Sequence, residues 1–232
     1  MLNHFLPKIA DFFFPPRCLH CLVYVHRENV LCEKCKAQLA IYTSLWCGRC
    51  HARIPGMQKG CHTSFPYILG AALDYRSEVV RSIIRGIKFE FVREGASLLG
   101  STLAEYVRSL GILDGNAVVV PIPLGTRRLR ARGFNQAELI AENFAATLAL
   151  PIERYALTRT KNTTPQSELS SFEKRQENIQ GAFTANSEKG VFKKTVILID
   201  DVTTSGATFY EAALALKKAG ARRVVALAAA RA

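Results

Sequence analysis

Seven cysteines fall between Cys18 and Cys61, and the 171 residues that follow contain none. Six of them form three Cys-x-x-Cys pairs, Cys18–Cys21, Cys32–Cys35 and Cys47–Cys50, and Cys61 stands alone. A turn of this spacing aims two sulfurs at one point, so two such turns can hold four thiolates around one tetrahedral Zn2+. Cys18, Cys21, Cys32 and Cys35, with ten residues between the pairs, make a four-cysteine zinc-ribbon set. Cys47, Cys50 and Cys61 offer three ligands of a second site. Its fourth ligand is open between His62, favoured because it lies beside Cys61, His51, a water, or no metal at all. A disulfide framework would need an export signal. A thioredoxin-like site would use one such pair in a βαβ unit. The string Cys47–His51 also spells a haem-attachment signature, which again requires export. The one or two zinc ions are expected to be structural. A segment of about 50 residues with few large apolar groups has too little core to fold alone, and metal supplies the folding energy.

The rest of the chain is different in kind. Of its 232 residues 49% are hydrophobic, enough for a sizeable core. No apolar run approaches the roughly 20 residues needed to cross a bilayer, so no transmembrane segment is expected. Residues 1–14 carry Leu2, Phe5, Leu6, Ile9, Phe12 and Phe13 at helical spacing. They predict an amphipathic helix that docks on the body of the protein, or on a partner or membrane surface. They lack a basic leader and a small-residue cleavage site, so the expected location is cytoplasmic. The formal net charge is +12, of which residues 1–66 contribute 8 basic and 3 acidic side chains. Seven thiolates and two Zn2+ would bring it to about +9, since −7 + 4 = −3. A field of this sign attracts polyanions such as nucleic acid, phosphorylated metabolites or anionic lipid, or is merely a basic surface.

Three regions are expected: the helix at 1–14, a double zinc-ribbon-like domain at 15–66 and a main domain at 67–232. In the last, strands are predicted at 68–75, Ala117–Val120, Thr195–Ile199 and Arg223–Ala228. Helices are predicted at 77–88, 94–110, 134–149 and Ala207–Lys218. Strands alternating with helices imply an α/β fold with a parallel sheet covered on both faces. Residues 158–180 are polar and read as a long exposed loop, the kind that tends to be functional.

Val196–Thr208, VILIDDVTTSGAT, is the most informative stretch. A buried strand ends in Asp200 and Asp201, at the carboxyl edge where open α/β sheets bind ligands. Thr203, Thr204, Ser205, Gly206, Ala207 and Thr208 then lead into a helix, whose first N–H groups make an anion site. Two carboxylates would repel a bare phosphate. They make sense facing sugar hydroxyls, or holding Mg2+ that bridges them to a ligand. An ordinary helix cap would need only one of these hydroxyls.

This stretch resembles the phosphoribosyl pyrophosphate (PRPP) signature of type I phosphoribosyltransferases. "VVVPIPLGTRRLRARGFNQAELIA" (118–141), "IRGIKFEF" (84–91), "TPQSELSSFEKRQENIQGAF" (164–183) and the cysteine array resemble the ComF family of competence proteins. The resemblance covers nearly the whole chain. It implies a type I phosphoribosyltransferase-like parallel sheet with helices on both faces, preceded by a small zinc-ribbon domain. It implies that Asp200 and Asp201 meet the ribose hydroxyls of PRPP and that Thr203–Thr208 hold its 5′-phosphate, with Mg2+. The turn Pro121–Leu124 with Arg127 and Arg128 would sit at the pyrophosphate. Lys88 would add a phosphate contact. The 158–180 loop, with Arg159, Gln166 and Arg175, would close over the site. The family usually has an eighth cysteine where this chain has Ser64, so the second metal site has three cysteines instead of four.

Arg127, Arg128, Arg130 and Arg132 put four guanidiniums into six residues, followed by Phe134. Guanidiniums suit phosphates, of PRPP or of nucleic acid. Phe134 is expected in the core, the alternative being a ring that stacks on a base. The family resemblance implies handling of single-stranded DNA during natural transformation, with a DNA-translocating helicase and recombination mediators as partners. Two other readings use the same equipment. One is an active phosphoribosyltransferase acting on a small amine or base. The other is a PRPP-sensing regulator.

Overall fold

A computed structural model describes residues 15–54, 61–90, 92–161, 180–186 and 190–232. The helix expected at 1–14, and Gln166 and Arg175 of the expected closing loop, lie outside the described residues.

The elements run α1 (Glu33–Lys36), β1 (Leu45–Cys47), β2 (Arg53–Ile54), β3 (Ile68–Asp74), α2 (Glu78–Phe89), α3 (Glu94–Leu110), β4 (Ala117–Pro121), α4 (Thr126–Arg132), α5 (Gln136–Leu148), β5 (Leu157–Arg159), β6 (Phe183–Ala185), β7 (Thr195–Thr203), α6 (Ala207–Lys218) and β8 (Arg223–Arg231). One sheet has the order β2-β1-β3-β8-β7-β4, and β5-β6 form a separate antiparallel pair. The four strands β3, β8, β7 and β4 are parallel, with Val119 opposite Ile197 and Ile197 opposite Val225. The fold is thus mixed α/β with a mostly parallel sheet.

Connection handedness explains the layers. The chain passes from β3 to β4 and then, through α5, to Ile152, which bridges Val119 in parallel on the outer side of β4. The link from β7 to β8 runs back the other way. Right-handed crossovers therefore put α3 and α5 on one face and α6 on the other. Ser97 Oγ of α3 donates to Asn143 Oδ1 of α5 at 2.8 Å across the first layer. The parallel strands are buried on both sides, which is why they read as continuous apolar runs.

The cysteine-rich segment is not a separate bead. β1 pairs antiparallel with β3, Trp46 opposite Leu69 and Cys47 opposite Ile68. Leu45, Trp46 and Cys47 join the same buried cluster as the parallel strands.

Two strands run further than the sequence suggests. β7 continues through Asp200 and Asp201 to Thr203, because β8 keeps pairing with it, Asp200 opposite Ala228 and Thr203 opposite Arg231. β8 runs on through Ala229, Ala230 and Arg231. Alanine has little strand preference of its own, but a position between two neighbouring strands overrides that. Two elements are additions. Overlapping the start of the expected 158–180 loop, Leu157–Arg159 is a strand, and it pairs with Phe183–Ala185 just beyond that loop. Thr126–Arg132, which has no apolar stripe, is a helix.

Candidate functional site

The carboxyl ends of β4 and β7 open into a cleft of about 320 Å3. Asp200 and Asp201 lie on its floor. Each carboxylate is held by the local backbone: Asp200 Oδ1 accepts from Asp201 N–H at 2.8 Å, and Asp201 Oδ1 accepts from Val202 N–H at 2.7 Å. Asp201 Oδ2 is 2.6 Å from Lys88 Nζ, which reaches in from the last turn of α2. Four cations, Lys88, Arg128, Arg132 and Arg159, line the cleft against these two acids. The imbalance suits an anion that also carries hydroxyl groups.

Burial pushes the Asp200 carboxyl up to about 7, the Asp201 charge adds to the rise, and Lys88 and Arg159 oppose it. Burial, with proximity second, thus makes the pair unlike: one carboxylate is ion-paired, the other sits near its titration point. Mg2+ prefers oxygen ligands, keeps several waters, and binds through one or two carboxylates plus substrate phosphates. Asp200 and Asp201 fit that donor set and are the residues that would hold it. Both oxygens of Asp201 are already engaged, which leaves Asp200 with the freer one.

The turn into α6 is shaped by Gly206, which caps the helix with φ +76°. Its carbonyl accepts from the buried Tyr67 hydroxyl at 3.2 Å, and burial raises that hydroxyl so that it stays protonated. A β-carbon on Gly206 would collide with the same hydroxyl. Gly206→Ala therefore combines left-handed strain with a clash, and is expected to cost about 2 kcal/mol in thermal or chemical unfolding. Gly206→Ala/Tyr67→Phe should recover part of that loss. A single variant as stable as wild type would show that Tyr67 does not set this turn.

The residues picked out from the sequence divide clearly. Thr204 and Thr208 line the cleft, as do Lys88, Arg128, Arg132 and Arg159. Thr203 is buried at the end of β7 and does not line it. Ser205 Oγ accepts from Ala207 N–H at 3.5 Å, within the turn itself. Arg127 and Arg130 are exposed on α4 and lie outside the cleft, because a helix turns successive side chains by about 100° and only Arg128 and Arg132 share the inner side. Phe134 is buried, with the Arg93 guanidinium 5.1 Å from its ring centroid, so it packs the core and is not a platform for a base. Tyr75, Asn135 and Gln136 also line the cleft. None carries a charge, and nothing in their spacing marks them as ligand contacts.

The cysteines gather into two clusters. Cys18, Cys21, Cys32 and Cys35 form one; Cys47, Cys50, Cys61 and His62 form the other, with all ligand atoms in each within 4.8 Å of one another. His62 Nδ1 is 3.4 Å from Cys47 Sγ and 3.3 Å from Cys61 Sγ, and His51 is not in the cluster. Burial alone would raise the Cys18 thiol, but backbone N–H groups of Cys21, Cys32 and His20 point at its sulfur and bring it down to about 6. Cys47 is likewise brought to about 6, against burial, by the N–H groups of Cys50 and Arg49 and by His62. In each cluster a second thiol goes the other way without metal: burial and the neighbouring thiols push Cys35 up, and the Cys50 and Cys47 thiols push Cys61 up to about 11. Four close donors of this kind are what a structural zinc ion requires.

A second, larger groove of about 780 Å3 lies at the opposite end of the sheet, by the first residues of β3 and β8. Arg49, Lys217, Arg222 and Arg223 line it without any acid, together with Phe65, Tyr67 and Tyr210. The Phe65 and Tyr210 rings are 5.3 Å apart. Arg222 is also paired with Asp114 at 2.6 Å. Among the described residues no helix is long and apolar enough to cross a membrane.

Residues 9–63 match the double zinc ribbon domain family. Competence protein F of Haemophilus influenzae is 29% identical over 222 residues, 91% of this chain and 95% of that protein. DNA utilization protein YhgH of Salmonella typhimurium is 31% identical over 211 residues, 89% of this chain and 86% of that protein. Among solved structures, a glutamine PRPP amidotransferase from B. subtilis aligns with 58% of this chain and 26% of its own, at 20% identity and a TM-score of 0.39.

Proposed function

The chain belongs to the family of competence protein F and DNA utilization protein YhgH, and on that premise we propose that it binds PRPP in the β4–β7 cleft and handles single-stranded DNA in competence. One observation carries the ligand reading. Two carboxylates and four cations share a single cleft with Thr204 and Thr208 beside the start of α6. A pyrophosphate alone would use the cations and leave Asp200 and Asp201 without a partner. A sugar alone would leave the cations unused. PRPP joins both chemistries in one molecule, with ribose hydroxyls for the acids and phosphates for the cations. Mg2+, when bound, would neutralise part of the pyrophosphate charge. Lys88 fixes Asp201, and Arg128, Arg132 and Arg159 orient and screen the phosphates. The test is competition: labelled PRPP should be displaced by ribose 5-phosphate and by pyrophosphate. Displacement by only one of them would overturn the reading.

For nucleic acid, the groove lined by Arg49 and Arg223 is the supporting observation. A cationic groove with two half-buried rings, Phe65 and Tyr210, at its wall suits a single strand, whose phosphates track the charges and whose bases stack. Log affinity for an oligothymidylate should fall linearly with log salt, and Arg49→Glu/Arg223→Glu should weaken binding at least tenfold and flatten that slope. Affinity indifferent to both salt and these charges would contradict the proposal. The transferase reading rests on the same cleft, and pyrophosphate release across a panel of amines and bases distinguishes it.

A further inference from the structure

Gln136 is the first residue of α5 and is 3% exposed. It lines the PRPP cleft, yet its side-chain nitrogen has no hydrogen-bond partner among the described residues. Its neighbour Asn135 shows how such a side chain is normally employed. Asn135 Oδ1 accepts from Ala137 N–H at 3.2 Å, and its Nδ2 donates to the Ile122 carbonyl at 2.9 Å. A buried donor left without an acceptor destabilises a fold, and an apolar side chain of equal length would fill the same space without that cost. The cost falls where a ligand would remove it. The position also adds to an existing anion preference, because the positive end of α5, a 13-residue helix, opens there.

The two halves of the cleft come from two segments of chain. Asp200, Asp201, Thr204 and Thr208 belong to β7, α6 and the turn between them. Arg128, Arg132 and Gln136 belong to the segment after β4. We infer that Gln136 is a ligand-binding residue that donates its amide hydrogens to a phosphate oxygen at the pyrophosphate end of PRPP. This rests on the PRPP reading of the cleft. A neutral amide adds direction to a site already rich in charge. Arg128 and Arg132 attract the pyrophosphate, and the amide fixes one oxygen of it.

The test is Gln136→Met, which keeps length and bulk and removes the donor, titrated with PRPP, pyrophosphate and ribose 5-phosphate in Mg2+. Affinity for PRPP and for pyrophosphate should fall about tenfold or more, as for a lost hydrogen bond to a charged group. Affinity for ribose 5-phosphate should be unchanged, and the ligand-free Tm unchanged or higher. A structural role for Gln136 would instead lower the Tm and weaken all three ligands together, and that result would overturn the inference. So would PRPP affinity equal to wild type. Wild-type protein that binds none of the three would show instead that the PRPP reading itself fails.

Discussion

Asp200→Asn is expected to stabilise the ligand-free protein by about 2 kcal/mol at pH 8 while removing PRPP binding. Burial and the adjacent Asp201 push the Asp200 carboxyl up to about 7, whereas in an unfolded chain it titrates near the ordinary carboxylate value of 3.8. The folded state therefore holds this proton more tightly. That contribution is fully present below about pH 4 and is lost as pH rises through about 7. At pH 8 the wild type carries a half-buried carboxylate beside a second one. Asparagine keeps the oxygen that accepts from Asp201 N–H and removes the charge. The gain should appear as a Tm rise of several degrees at pH 8 and should vanish toward pH 4. Melting curves across that range check it. A variant less stable than wild type at pH 8 would mean that the charge at Asp200 is already compensated without ligand. Stability gained together with binding lost is the signature of a group kept for its ligand.

Loss of metal should have the larger effect on the fold. Removing both zinc ions with a chelator is expected to unfold residues 15–54 and strip β1 from the edge of β3. The clusters are wired into the body. Leu45, Trp46 and Cys47 are 1%, 3% and 2% exposed, and Cys18 and Cys35 join the same core. Structural zinc in small modules supplies on the order of 10 kcal/mol, and Cys47 is the one buried ligand of its cluster, while Cys50 and Cys61 are exposed. Cys47→Ser should lower the Tm by about 10 °C or more and reduce zinc content from two ions per chain to one. His62→Ala should also lose the second ion, and His51→Ala should keep it. Wild-type zinc content in Cys47→Ser, or loss of an ion in His51→Ala, would contradict this assignment of ligands.

Much of this is legible in the sequence because the signals are local. Cys-x-x-Cys turns carry their geometry with them. The apolar runs of β3, β4 and β7 can only be buried strands, and α6 falls at its expected residues. Other features depend on neighbours far along the chain. The end of β8 is built of Ala228, Ala229 and Ala230, whose strand conformation comes from pairing with β3 and β7. The α4 helix has one large apolar residue, Leu129, which is 40% exposed, so no periodicity announces it. The β5–β6 pair joins three-residue strands separated by more than twenty residues, without a turn signal. In the cleft, charge is readable and orientation is not. Arg127, Arg128, Arg130 and Arg132 look alike in sequence, and helix geometry alone sends Arg128 and Arg132 inward. Lys88, expected against phosphate, lies against Asp201. Gln136 can be recognised only from its burial and its unpaired nitrogen.

The most direct measurement is calorimetric titration of the zinc-loaded protein with PRPP in Mg2+, run beside Asp200→Asn/Asp201→Asn. The wild type should bind one PRPP per chain, and the double variant should show no saturable heat while staying folded, with a Tm no lower than wild type and both zinc ions in place. No binding by the wild type, or equal binding by the double variant, would contradict the assignment of PRPP to this cleft.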